Sequence, residues 1–184
     1  MNKFHTKPIV KIDLTESTIR ELSETFLPTK PKRWGRMDKL SKFILLGCAK
    51  ILTIAKHELK QEVGLLSATT YGSISTDIKY VNTLFSNTIE ASPILFGYTL
   101  PNISLSEAAV FFNLKGSVYA SIYDSNTSKE DMLKSIIKKA DIWLRSQKLT
   151  NSFIVCVIDF LSQEAQEKLK INKNFDQALF TWVV

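Results

Sequence analysis

The side chains here best suited to covalent chemistry are two thiols and two imidazoles: Cys48, Cys156, His5 and His57. A cysteine attacks or binds metal as its thiolate, and histidine is the residue that trades protons near neutral pH. Neither pair has the spacing of a zinc site, so no metal is expected. Cys48 falls in a helical pattern and Cys156 inside an apolar strand run. That placement predicts buried thiols in a reducing compartment rather than a disulfide. His5 is close to the N-terminus and His57 closes a long helix. A different kind of chemistry is electrostatic. Lys30, Lys32, Arg33, Arg36, Lys39 and Lys42 share their stretch with a single carboxylate, Asp38. With a net charge of +6, this run permits an acidic partner, although such runs are ordinarily solvated surface. No nucleic-acid-binding module accompanies it, and no nucleic acid is expected.

These residues have to be held by a folded scaffold. A chain of 184 residues, 45% hydrophobic and 23% charged, has globular composition and is expected to form one domain over 1–184. Met1 to Asp13 contains no uninterrupted apolar run, so no secretory leader is expected. The longest apolar runs, near Phe43 to Ala49 and Phe153 to Ile158, are too short to span a bilayer, and a cytoplasmic location is expected.

Lys7 to Leu14 alternates apolar and polar residues and is predicted as a first strand. Ile19, Leu22 and Phe26 have helical spacing within Thr15–Phe26, and Pro28, Pro31 and Gly35 make the following loop. Asp38 to Leu59 is predicted as a long helix that is apolar on several sides, hence well buried. Val63 to Ala68 is the second strand, followed by a helix over Ser73–Asn87 and a short one over Leu105–Leu114. Val118 to Tyr123 is the third strand. Thr127 and Glu130 match a capping box ahead of a helix over Ser128–Gln147. Phe153 to Phe160 reads as a strand inside a parallel sheet, and Ala178 to Val184 as a fifth strand. The pattern predicts an α/β domain of three layers, with a mostly parallel five-stranded sheet and helices on both faces.

Several motifs sit on this frame: Gly72-Ser-Ile-Ser-Thr-Asp-Ile-Lys-Tyr80, Ser92-Pro93, Phe96, Thr99-Leu-Pro-Asn102, Ser106-Glu-Ala-Ala109 and Leu114-Lys-Gly116. Together they resemble the N-terminal half of a β-ketoacyl synthase, of the thiolase-like superfamily. The resemblance is dense from about Arg36 to Asp124 and topological beyond. Gly72, Ser73, Thr76, Asp77, Tyr80, Pro101 and Asn102 carry it most specifically, and local physics gives them scaffold roles. Gly72 permits a sharp exit from the second strand, Ser73 or Ser75 caps the next helix, Asp77 suits its N-terminal end, and Pro101-Asn102 makes a tight turn.

The resemblance implies a nucleophilic cysteine at the start of a buried helix after the third strand. There a thiolate takes an acyl group from a carrier thioester, while imidazoles assist decarboxylation. The matching position here falls at or near Ser125, and no cysteine lies between Cys48 and Cys156. Neither His5 nor His57 matches a family histidine, and the sequence reaches Val184 before the half that supplies them. The helix after Ser125 has Met132, Leu133, Ile136, Ile137, Ala140, Trp143 and Leu144 as one stripe, with Lys134, Lys138, Asp141 and Arg145 opposite. An amphipathic surface helix of this kind is expected to let the domain stand without a second half. The implied function is a non-catalytic ketosynthase-like accessory protein of a bacterial fatty-acid, polyketide or aryl-polyene-type pathway, with no cofactor. Its expected partner is a ketosynthase subunit or an acyl carrier protein, the latter docking on Lys30 to Lys42, and a homodimer is a further option. Two other readings stay open: half of a two-chain condensing enzyme, and a small acyl- or CoA-binding module.

Overall fold

A computed structural model describes residues 7–56, 62–85, 91–146, 150–172 and 175–184. His5, His57 and the predicted helix ends at Leu59, Asn87 and Gln147 lie outside the described residues. The strands are β1 (Val10–Asp13), β2 (Val63–Thr69), β3 (Val118–Ile122), β4 (Ser152–Val157) and β5 (Gln177–Val183). The helices are α1 (Glu16–Phe26), α2 (Lys39–Ile54), α3 (Ile74–Leu84), α4 (Pro93–Gly97), α5 (Pro101–Phe111), α6 (Lys129–Ser146) and α7 (Gln163–Leu169).

The strands form a single sheet in the order β1-β5-β4-β2-β3. β2 runs parallel to β3 and β4, whereas β5 is antiparallel to β4 and to β1. The sheet is therefore mixed: the expectation of a mostly parallel sheet holds for the neighbours β3, β2 and β4 and fails at β5, which runs against both of its neighbours. The reason lies after β4: short α7 stays at one end of the sheet, so the chain re-enters beside β4 running backwards, whereas parallel neighbours need a long crossover.

Every residue of β2 and of β4 is buried, because helices cover both faces. Successive side chains alternate between two cores. Leu65, Ile154 and Cys156 face α2 and α5, with Phe43, Ile44 and Leu105. Leu66, Ala68, Phe153 and Val155 face α6, through Met132, Leu133, Ile136 and Ala140. Lys134, Lys138 and Arg145 of α6 point to solvent, as the stripe predicts, but Ile137, Trp143 and Leu144 are only half-buried.

Several local expectations are corrected. The cap of α6 is Ser128, not Thr127: Asp131 N donates to Ser128 Oγ (3.1 Å), which donates back to Asp131 Oδ2 (2.7 Å). Thr127 is occupied one step earlier, its N–H closing a turn on Asp124 O (3.0 Å). Pro101 and Asn102 make no tight turn. Proline is at the first position of α5, where its missing N–H costs nothing and its φ suits a helix. α4 and α7 are additional short helices, and β4 ends at Val157, three residues before Phe160.

Candidate functional site

In open α/β sheets, ligands are bound outside the carboxyl ends of the strands, where successive connections leave on opposite faces. That place here is between β2 and β4. The chain leaves β2 toward α5 on one face and enters β4 from α6 on the other. The crevice is filled by the protein itself. The buried carboxylate of Asp159 accepts from Thr69 Oγ1 (2.5 Å), Thr70 N (2.9 Å) and Tyr71 N (2.9 Å). Thr69 Oγ1 in turn accepts from Gly72 N (2.8 Å). Gly72 has φ +53°, and a Cβ there would lie 2.9 Å from Pro101 Cγ, so the sharp exit expected of this glycine is what the backbone makes.

The hydroxyls after Gly72 reach distant partners. Ser73 Oγ donates to Thr99 O (2.5 Å). Ser75 Oγ donates to Phe160 O (3.1 Å) and accepts from Ser162 N (2.9 Å). Thr76 Oγ1 donates to Asp38 Oδ2 (2.8 Å), while Asp38 Oδ1 caps α2 through Ser41 N (2.8 Å). Neither Ser73 nor Ser75 caps α3 by its side chain, because these long-range partners take both hydroxyls. Tyr80 packs its ring on Phe96 at 5.5 Å, and Asn102 is exposed on α5.

Asp77 is the electrostatically uncomfortable member of the group. Its Oδ1 is buried with no hydrogen-bond partner among the described residues, and its Oδ2 is 3.4 Å from Ser73 Oγ. Desolvation pushes its carboxyl above the ordinary range, and the Asp38 charge adds to this, against a smaller opposing effect of the Ser73 hydrogen bond. A shallow cleft lies alongside, between Asp38, Lys39, Thr76, Lys79 and Phe160. Among the described residues no group of His, Cys, Asp and Glu is arranged to hold a metal.

At the end of β3, Ser125 is exposed in a turn and does not start a buried helix. The described residues contain no histidine, so no imidazole stands beside it among them. The two thiols are remote in chemistry as well as in sequence. Burial pushes the Cys48 thiol up to about 12 and raises that of Cys156 well above its ordinary value, with a smaller contribution from Cys48. Thiols of that kind are inert at neutral pH.

The basic run forms a loop and the first turn of α2. Arg33 is drawn to Glu107 (3.7 Å), which also accepts from Tyr98 OH (2.9 Å), and Lys39 pairs with Glu16. Lys30 and Lys42 instead flank Trp34, their Nζ atoms 5.9 and 5.3 Å from its ring centroid. Lys32 and Arg36 are exposed. Trp34 was not singled out by sequence reasoning. A tryptophan in the middle of a cationic run was the available signal.

The fold of this chain is shared with solved structures of ketosynthase and chain length factor proteins. Solved structures agree at low identity. One similar chain is from the ketosynthase ApeO in complex with its chain length factor ApeC of Xenorhabdus doucetiae: TM-score 0.65, 8% identity, covering 100% of this chain and 79% of that one. The ishigamide ketosynthase/chain length factor gives TM-score 0.62 and 16% identity, over 88% of this chain and 47% of that one. A chain of the AntDE:AntF complex, a type II PKS acyl-carrier protein with its ketosynthase, gives TM-score 0.61 and 10% identity, over 97% and 61% respectively. The chain thus spans about half to four-fifths of these proteins. No family model and no curated protein matches it.

Proposed function

We propose that this chain is a ketosynthase-like accessory protein that does not itself condense acyl groups. It works beside a ketosynthase in bacterial fatty-acid, polyketide or aryl-polyene-type biosynthesis, and residues 1–184 act as one domain. The observation that carries this is the exit of β3. Where the resemblance implies a buried, activated thiol, the chain has an exposed turn with Ser125. A serine hydroxyl is a far weaker nucleophile than the thiolate the resemblance implies. The likeness of fold to chains from ketosynthase–chain length factor and ketosynthase–carrier complexes supports a role among such partners.

Acyl carrier proteins are acidic, and Lys30, Lys32, Arg33, Trp34, Arg36 and Lys42 make the surface we assign to them. Charge complementarity of this sort raises association rates and orients the encounter. No helix among the described residues is long and apolar enough to cross a membrane, and two free buried thiols suit a reducing, cytoplasmic setting. The alternative of a half-enzyme completed by a second chain over α6 is disfavoured. Covering that face would bury Lys134 and Lys138, which is costly without partners.

The test is reconstitution with acyl- and malonyl-carrier proteins, with and without the ketosynthase of the same host. The chain alone is expected to give neither an acyl-enzyme nor a condensation product, and to alter the rate or chain length of the ketosynthase when added to it. Stoichiometric acylation that disappears in Ser125→Ala would overturn the proposal.

A further inference from the structure

Three carboxylates touch the basic run, and they are held differently. Asp38 is committed to the scaffold, with Oδ1 on Ser41 N and Oδ2 taking the Thr76 hydroxyl. Glu107, which draws Arg33, is anchored by the Tyr98 hydroxyl, and its side chain is only 17% exposed. Glu16 is the exception. It comes from a different element, the first turn of α1. Its side chain is 68% exposed, and its salt bridge among the described residues is to Lys39.

Lys39 and Lys42 stand three residues apart on α2, so they are neighbours on one side of that helix. Both act on Glu16. The Lys39 hydrogen bond and charge, with a smaller effect of the Lys42 charge, hold its carboxyl below the ordinary range against the opposing effect of burial. Each lysine is also braced by an aromatic ring, Lys39 over Phe160 at 5.7 Å and Lys42 over Trp34 at 5.3 Å. The pair is a seat for a carboxylate, and the chain seats its own there. An exposed ion pair of this kind holds with little free energy. Glu16 is also free to leave without fraying α1, which is capped independently by Thr15 Oγ1 accepting from Thr18 N (3.1 Å).

We propose that Lys39 and Lys42 form a carboxylate subsite within the acidic-partner surface, and that Glu16 fills it as an internal competitor which a partner's Asp or Glu displaces. A partner carboxylate meets the same two cations at the same place, and juxtaposing it with Glu16 would be repulsive, so the two exclude each other. The consequence is selectivity. A protein with one or two stray carboxylates cannot replace Glu16 and draws nothing from these lysines. A strongly acidic one engages the exposed Lys32 and Arg36 first, and the held partner then displaces Glu16 at high local concentration. That the partner is an acyl carrier protein rests on the function proposed above; the competition at Lys39 and Lys42 does not.

Calorimetric titration with two probes tests it: the holo acyl carrier protein of the same host, and a poly-glutamate peptide. Glu16→Gln keeps the shape and removes the charge, and is expected to bind both about threefold tighter than wild type, the scale of an exposed ion pair. Glu24→Gln makes the same change of net charge on the same helix. It lies about 12 Å further along α1 at 1.5 Å per residue, beyond the Debye length of about 8 Å at physiological ionic strength, and should bind as wild type does. Lys39→Gln should weaken binding, and Glu16→Gln added to it should recover less than it gains in wild type. Binding of poly-glutamate by Glu16→Gln no tighter than by wild type, or an equal gain from Glu24→Gln, overturns the proposal. Carrier-protein binding that Glu16→Gln leaves unchanged also overturns it, while leaving the accessory function intact. A tighter hold of Glu16→Gln on poly-glutamate, when no carrier protein binds the chain, removes the carrier reading and leaves the competitor assignment standing.

Discussion

Replacing Ile136 by alanine probes whether α6 is the outer layer of this fold. Ile136 is fully buried among Leu66, Val155, Met132 and Ala140. The substitution deletes about three buried carbon groups, worth about 0.8 kcal/mol each in transfer, or about 2.4 kcal/mol. The side chain sits between a helix and a sheet that is packed on its other face too, so collapse into the space is limited and a cavity contribution follows. The total should approach about 4 kcal/mol, inside the usual range of about 2–5 kcal/mol. Half-buried Ile137→Ala should cost about half the transfer value, about 1 kcal/mol, and exposed Lys138→Ala less than about 0.5 kcal/mol. Urea unfolding with a common m-value measures all three, since a shift in midpoint at constant m is a change in stability. Equal costs for Ile136 and Lys138, or the reverse order, would mean that α6 presents a different face to the sheet, and the stripe argument would be wrong.

Four further outcomes are expected. A Cβ at position 116 would lie 2.4 Å from Gly64 N and 2.5 Å from Val63 C, and backbone cannot step aside as a side chain can. Gly116→Ala should therefore cost at least about 1–3 kcal/mol and speed hydrogen exchange at Leu65, whose N–H bonds Ser117 O (2.8 Å). For Asp77 the folded carboxyl titrates above its unfolded value, so the native state holds more protons in that window and stability falls as pH rises through it. Asp77→Asn should thus raise the melting temperature at neutral pH and have little effect near about pH 4; a gain that is larger in acid would refute the assignment. Ser125→Ala, in an exposed turn, should change the urea midpoint by no more than about 0.5 kcal/mol equivalent and leave any effect on a partner ketosynthase unaltered. Lys32→Glu with Arg36→Glu should weaken binding of an acidic carrier protein about tenfold or more at low ionic strength, with the difference shrinking as salt is added, as titration calorimetry at two salt concentrations would show.

Much of the frame is legible along the chain because its causes are local. β2 and β4 are buried on both faces and so read as unbroken apolar runs. α6 packs on one side only and therefore displays a helical stripe. The motif residues Gly72 and Gly116 stand where a positive φ and a close backbone approach demand glycine. What those signals omit is any partner distant in sequence. Asp159 meets Thr69 across 90 residues, and Ser73 meets Thr99 across 26 and Ser75 meets Phe160 across 85, so hydroxyls that look like helix caps are spent elsewhere.

Legible along the chain alone are the number and kind of the main strands and helices, the face each long helix buries, and the lack of a thiol where the resemblance implies one. Each depends on residues within a turn or two of one another, where side-chain period and backbone preference act. It took the assembled fold to show that β5 runs backwards, that Asp159 fills the crevice and that Lys30 and Lys42 gather on Trp34. Those are outcomes of which elements become neighbours. Neighbourhood is set by closing the two cores around the sheet, not by any pattern along the chain.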